Sequence, residues 1–396
     1  MSPRNIFRVL KQHAFLPSIL SRSYAGGYKV IKRPDPNKLK MPSPANAARI
    51  MDIINEKIKL SGPISIAEYM NIVLTNPTEG YYMKKEVIGE GGDFITSPEI
   101  SQLFGDIIGV WFFSESKKLG PSTPLQIVEL GPGKGTLITD ILRVSTRLGL
   151  NSRDISIHLI EISTIMQNIQ ANRLCMTHHG SGDDKPYYYE KTKDGWREIL
   201  IDVDENGTLQ YRISQKETSS SQVLIRPPLG VGEKQDLEIS PRGLGIARQL
   251  AQRVDQDGGI ALIADYGHQG EKGDTFRAFH KHQIVDPLTN PGLHDLTADV
   301  DFTQLRLAAS KTAGEENYAL VLGPVTQMDF LKRSQADARL QMLLDRTDEE
   351  TKEKLKSAFD MLTNPQKMGE RFKFMAFYPS AMAPIIEKFK PLGFSS

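Results

Sequence analysis

Apolar positions change period several times along the chain, and each change marks an element. After a Pro-rich stretch at 35–44, Ser43-Pro44 opens a run in which Ile50, Ile53, Ile54 and Ile58 recur near helical spacing, predicting a helix to about Leu60 that Gly62-Pro63 ends. Ser65-Ile66-Ala67-Glu68 has capping-box spacing and starts a short helix that stops before Asn76-Pro77. Gly89 to Thr96 reads as a Gly-rich loop, after which Ser97 as N-cap and Pro98 as first helical residue open a helix to about Lys118, stopped by Gly120. Short, largely apolar runs follow at Leu125 to Leu130, Ile155 to Ile160 and Ile260 to Ala264. These read as buried strands, with a helix from Thr136 to Leu148 after the first, Glu161 ending the second and Asp265-Tyr266-Gly267 ending the third. Apolar strands alternating with helices predict an α/β fold with a doubly wound parallel sheet.

The pattern differs at 196–214, where apolar and polar residues alternate on both sides of Asn206-Gly207. This predicts a half-exposed β-hairpin with a two-residue turn, inserted into the sheet domain. The polar stretch 215–240, with Pro227-Pro228, reads as loop. A strand and helix are expected after 318, a helix over 348–362, and a closing strand from Phe372 to Tyr378.

Composition narrows the function classes. The 396 residues are 39% hydrophobic and 24% charged with a net charge of +1, which gives no electrostatic footprint for nucleic acid. The single cysteine, Cys175, excludes intrachain disulfides and a Cys-rich zinc site. No apolar run is long enough for a membrane span. The first 34 residues carry Arg4, Arg8, Lys11, Arg22, Lys29, Lys32 and Arg33 and no acid. That composition reads as a mitochondrial transit peptide over 1–24, with a plausible cleavage point after Arg22-Ser23-Tyr24.

The densest signal is Val128-Glu129-Leu130-Gly131-Pro132-Gly133-Lys134-Gly135-Thr136. A nucleotide P-loop needs Ser or Thr directly after the lysine, and Gly135 stands there. A dinucleotide fingerprint needs a sixth-position glycine, where this chain has Thr136. The spacing Glu129, Gly131, Gly133, Gly135 is instead the first motif of class I methyltransferases that use S-adenosyl-L-methionine. In that reading the glycines make room for the ligand, Glu129 receives its ammonium, and an acid ending the next strand accepts both ribose hydroxyls; Glu161 stands there. The alternative is a tight strand–helix turn followed by a surface glutamate.

With "GGDFITSPEISQLFG", "ELGPGKGTL", "ALIADYG", "DLTADVDF" and "MGERFKFMAF" in this order, the chain resembles the MidA family of mitochondrial and bacterial methyltransferases over roughly 43–380. The resemblance implies a matrix enzyme that symmetrically dimethylates an arginine on the 49-kDa core subunit of complex I, a type II protein arginine methyltransferase serving complex I assembly. It implies a Rossmann-like methyltransferase domain over 121–390, an insertion at about 190–250, a helical region with the Gly-rich loop over 45–120 and a linker over 25–44. Gly131, Gly133, Gly135 and Glu161 would bind the cofactor by position. One family block, a strand ending like H/N-E-F-F-D-A-L-P, has no counterpart here. Between the second strand and the hairpin, Ser163 to Asp194 contains no buried-type apolar run. One central strand is therefore expected to be missing, together with acids it would place beside the donor methyl. The alternative function is a non-catalytic assembly protein.

Transfer to arginine needs carboxylates that hold a guanidinium and assist its deprotonation. Asp265 and Glu99 are the catalytic candidates, with Asp93 beside them in the Gly-rich loop. Glu99 could equally complement a helix N-terminus, and Asp265 could cap a loop. His268 reads as a solvated loop residue, and Tyr187-Tyr188-Tyr189 as loop packing. His178-His179 and His280-Lys281-His282 lack the partners of a metal motif, so no metal is expected. Gly180-Ser181-Gly182 does not match a hydrolase elbow.

Overall fold

The computed structural model describes residues 6–11, 45–84, 96–120, 125–150, 155–174, 186–225, 234–310 and 318–394. Its main sheet runs in the order Leu320–Thr326, Phe372–Tyr378, Gly259–His268, Ile6–Lys11, Leu125–Leu130, Ile155–Ile160, with Val300–Asp301 added beside the end of Gly259–His268. The last four strands of that order are mutually parallel, and Phe372–Tyr378 is antiparallel to both its neighbours. In register, Ile160 faces Leu130, Leu130 faces Leu10, and Leu10 faces Ile263. The carboxyl ends of Ile155–Ile160, Leu125–Leu130 and Ile6–Lys11 are therefore level, with Gly259–His268 running on past them, and open α/β sheets bind ligands at that edge.

The expected gap beside Leu125–Leu130 is filled, and the filling comes from within the segment read as a transit peptide. Ile6–Lys11 pairs with Leu125–Leu130 on one side and Gly259–His268 on the other. A central slot left open would expose N–H and C=O groups on two strands at once, so a sheet of this type demands an occupant.

Other elements refine the sequence reading. Leu125–Leu130, Ile155–Ile160 and Phe372–Tyr378 form strands over the residues expected of them. The third strand continues past Asp265 to His268, because Gly267 and His268 pair with Val300 and Asp301. The helix expected from Ser97 is two helices, Ser97–Ile100 capped by Thr96, and Gln102–Lys118 capped by the Ser101 hydroxyl, with Ser101 extended between them. The hairpin forms, but Val203 pairs with Leu209, so the turn is longer than two residues. Asp204 explains it: its carboxylate accepts from the N–H groups of Asn206 and Thr208 at 2.9 and 2.8 Å and stabilises a wider loop. The stretch 215–240 is not loop throughout: it holds the helix Ser219–Leu224 and the strand Asp236–Ile239. Tyr187–Thr192, holding the three tyrosines, pairs with that strand and with Gly195–Val203 in a second sheet.

Gln102–Lys118 lies close against Thr136–Arg147 because Gly105 and Gly109 carry no side chain. A Cβ at Gly105 would come within 2.2 Å of Asp140, and one at Gly109 within 3.0 Å of Val144. This contact seats the start of Thr136–Arg147, and with it the glycine turn, on the body of the protein.

Candidate active site

The turn after Leu125–Leu130 is shaped by its glycines. Gly131, Gly133 and Gly135 have φ of 66°, 57° and 74°, three left-handed positions within five residues. Glycine adopts that conformation without steric cost, and a side chain at any of the three would be strained. Gly131 N–H donates to Ile160 O at 2.9 Å, tying the turn to the next strand, and Gly135 N–H donates to Pro132 O at 2.9 Å. Thr136–Arg147 starts directly after this turn, so its N-terminal end lies at the carboxyl end of Leu125–Leu130. Glu129, on the strand leading in, is 1% exposed.

Glu161 follows Ile155–Ile160 and is buried. Its Oε1 accepts from the N–H groups of Ile162 and Ser163, both at 2.9 Å. Its backbone carbonyl accepts from the Gln167 amide at 2.6 Å. Burial raises its pKa, opposed by the N–H groups of Ser163, Ile162 and Gly133 and by the Gln170 amide. Gln170 also donates to Gly133 O, so this side chain joins the turn to the acid. Oε2 of Glu161 makes no well-formed hydrogen bond among the described residues. A buried acceptor of this kind, facing a glycine turn, is suited to receive hydroxyl donors from a ligand. The turn and the acid thus fit a ribose-bearing cofactor.

Glu99 reaches the same turn from the other side: the Thr136 hydroxyl donates to its carboxylate. Thr136, which breaks the dinucleotide fingerprint, is here the anchor of a candidate functional acid. The short helix carrying Glu99 is fixed by Ser97, whose hydroxyl donates to Gln327 at 3.0 Å.

Asp265 lies apart from these groups. It is 4% exposed, stands inside its strand opposite Lys373, and accepts from Tyr266 N–H at 2.6 Å. Three strand spacings separate it from Glu161, roughly 14 Å. The structure therefore brings Glu99, the glycines and Glu161 together and leaves Asp265 further along the same edge.

His268 is not a solvated loop residue. It ends Gly259–His268, is 1% exposed, and its Nδ1 accepts from Gly270 N–H at 3.0 Å and more weakly from Lys272 N–H. Burial lowers its pKa against the pull of Asp301, Asp299 and Glu271. It is neutral near pH 7 with its proton on Nε2. His280-Lys281-His282 forms a hairpin turn in which Lys281 and His282 have φ of 47° and 64°. Among the described residues, no group of three His, Cys, Asp or Glu side chains is placed to hold a metal. Asp93, most of the Gly-rich loop, Cys175, His178-His179 and Gly180-Ser181-Gly182 lie outside the described residues.

Sequence reasoning missed a buried charge network behind Asp265. Asp299 pairs with Arg277 and, at 2.7 Å, with Lys272. Burial works against its charge, but the two cations outweigh that and hold its pKa down to about 2. Arg277 lies 5.8 Å over the Tyr266 ring. Thr275 accepts from Asp299 N–H at 2.8 Å and donates its hydroxyl to Glu238 at 2.6 Å. Glu238, on the second sheet, has its pKa pushed up to about 8 by burial despite these bonds. No local periodicity signals such partners, which lie 22 to 37 residues apart on different elements.

Comparison with known proteins agrees with this geometry. A family model of S-adenosyl-L-methionine-dependent methyltransferases matches residues 107–192 and 186–321. The chain is 43% identical to the mitochondrial protein arginine methyltransferase NDUFAF7 of Danio rerio over 377 residues, covering 84% of this chain and 87% of that one. It is 41% identical to the Homo sapiens protein of that name, covering 82% of each. Because 84% of 396 residues falls short of the 377 aligned with the Danio rerio protein, part of that relative lies opposite no residue of this chain. A Burkholderia thailandensis protein bound to S-adenosyl-homocysteine shares the fold at a TM-score of 0.68 and 22% identity, over 89% of this chain and 98% of its own. This chain belongs to the MidA family of S-adenosylmethionine-dependent methyltransferases.

Proposed function

We propose that this protein is a protein arginine methyltransferase of the mitochondrial matrix that symmetrically dimethylates an arginine on the 49-kDa core subunit of complex I during assembly. The observation that carries the reading is the turn of three left-handed glycines beside buried Glu161, in a chain 43% identical to a relative named as a mitochondrial protein arginine methyltransferase.

When bound, S-adenosylmethionine supplies an electrophilic methyl group on a sulfonium. Gly131, Gly133 and Gly135 give the backbone room to approach the ligand. Glu129 receives its ammonium, and Glu161 accepts from the ribose hydroxyls. Transfer of that methyl would need a guanidinium nitrogen held in line with the sulfonium, so the protein's main task would be alignment. Glu99 and Asp265 are assigned to hold the guanidinium, and one of them takes the proton it loses. Residues 1–24 are assigned to targeting.

Titrating S-adenosylmethionine into the full chain by calorimetry tests the cofactor site, and mass spectrometry of an arginine peptide then reads transfer and symmetry. Binding abolished in Glu161→Ala and a gain of two methyl groups on one arginine are expected. A folded chain that binds no S-adenosylmethionine would sink the reading.

A second reading, a non-catalytic assembly protein, is favoured by one observation. The slot beside Leu125–Leu130 is occupied by Ile6–Lys11. Cleavage after Tyr24 would remove that strand, so targeting and sheet closure compete for the same residues. Cofactor binding without methyl transfer is the outcome that supports this second reading.

A further inference from the structure

Tyr82 takes no part in the mechanism above, yet it is bonded to the segment that holds Glu161. It lies in the short helix Tyr81–Lys84, and its carbonyl oxygen accepts from the Ser163 hydroxyl at 2.8 Å. The N–H of the same Ser163 donates to Glu161 Oε1 at 2.9 Å. At its other end, the Tyr82 hydroxyl donates to Asp295, which is fully buried on the strand Asp295–Thr297. Burial, then Asp295, and further down Glu161, push the Tyr82 pKa well up, so the phenol keeps its proton and remains a donor. One chain of bonds thus runs from Asp295 through Tyr82 and Ser163 to the carboxylate of Glu161. The turn over 161–163 follows a strand at the edge of the sheet. Besides the local ties from Gln167 and Gln170, the Ser163–Tyr82 bond reaches this turn from a separate element.

We propose that Tyr82, anchored by Asp295, is a positioning residue for the adenosine end of the cofactor pocket, fixing through Ser163 the turn that aims Glu161 at the ribose hydroxyls. The proposal rests on the S-adenosylmethionine reading above. It predicts that the tie acts on any ligand bearing the ribose, whether or not the ligand carries the methionine part.

The test titrates the full chain and its variants with S-adenosylmethionine and with 5′-methylthioadenosine, which keeps adenine and ribose but lacks the amino acid. Tyr82→Phe and Ser163→Ala should each weaken both ligands by the same factor, about 5- to 10-fold for one lost hydrogen bond. Asp295→Asn, which keeps an acceptor for the Tyr82 hydroxyl, should stay within about twofold of wild type. In a Glu161→Gln background, Tyr82→Phe should add little, because its effect runs through that carboxylate. Unchanged affinity in folded Tyr82→Phe and Ser163→Ala proteins would overturn the proposal, as would an undiminished loss in the Glu161→Gln background. If Tyr82→Phe fails to fold, Ser163→Ala alone decides. A wild-type chain that binds neither ligand would overturn the methyltransferase reading and this proposal with it; wild-type binding with unaffected variants overturns this proposal alone.

Discussion

Leu125–Leu130 has two flanks built in different ways. On one side lies Ile155–Ile160, the next strand in sequence, joined to it through the glycine turn and a single helix. On the other lies Ile6–Lys11, which reaches its place from more than a hundred residues upstream. The near flank carries Glu161, Gln170 and Glu99 around the turn, held by backbone donors and short side-chain ties. The far flank leads to Asp265 and is backed by a buried network of Glu238, Thr275, Asp299, Arg277 and Lys272. The near flank is thus built on a tight turn between consecutive strands, and the far flank lies across an inserted strand and is backed by a buried network of charges.

Removing residues 1–24 would break this comparison most severely. It strips the central strand from between Leu125–Leu130 and Gly259–His268 and leaves each with one unpaired edge in the middle of the sheet. Thermal unfolding of residues 25–396 against the full chain should show a midpoint lower by at least about 10 °C, or no cooperative transition, since several kcal/mol are at stake in a domain of this size. Equal midpoints would mean that the sheet tolerates the open slot or fills it from elsewhere, and targeting would then be the sole role of those residues.

The two flanks also differed in how far the sequence revealed them. Strands at 125, 155 and 372 are short, largely apolar runs, and the glycine spacing locates the turn because glycine adopts three closely spaced left-handed positions without steric cost. Glu161 was found because it ends a strand. Ile6-Phe7-Arg8-Val9-Leu10-Lys11 gives no such signal: its basic residues match a targeting segment equally well. The continuation of the third strand past Asp265 was hidden because it depends on pairing with Val300 and Asp301. Tyr82 and Asp295 are 213 residues apart, and no local pattern links them.

The far flank's buried carboxyl supplies the next effect. Glu238 has a folded pKa of about 8, above the ordinary 4.5 of an unfolded chain. Between those values the folded protein binds more protons than the unfolded one, so this group's contribution falls as pH rises from about 4.5 through about 8. The loss is on the order of 4 kcal/mol across that window. Glu238→Gln should flatten it. Melting wild type and variant at pH 5 and pH 8.5 reads the difference; parallel declines in the two proteins would assign the pH dependence to other groups.

On the near flank, Glu161→Ala removes the carboxylate proposed to accept from the ribose hydroxyls and should weaken S-adenosylmethionine on the order of 100-fold, with the fold retained. Asp265→Asn, on the far flank, should leave that affinity within about twofold and act on the peptide instead. Equal losses of cofactor affinity in both variants would erase the division of labour between the flanks.

The smallest expected effect is the sharpest on where that division falls. Thr136 donates its hydroxyl to Glu99 across the mouth of the glycine turn. Thr136→Val keeps the branched shape and removes the donor, which releases Glu99 at a cost of about 1 kcal/mol, or roughly fivefold, in whatever Glu99 holds. If Glu99 grips the acceptor guanidinium, KM for an arginine peptide rises and S-adenosylmethionine affinity stays put. If cofactor affinity falls instead while affinity for 5′-methylthioadenosine is unchanged, Glu99 faces the methionine end of the cofactor. The residue that breaks the dinucleotide fingerprint would then mark which ligand this turn was shaped for.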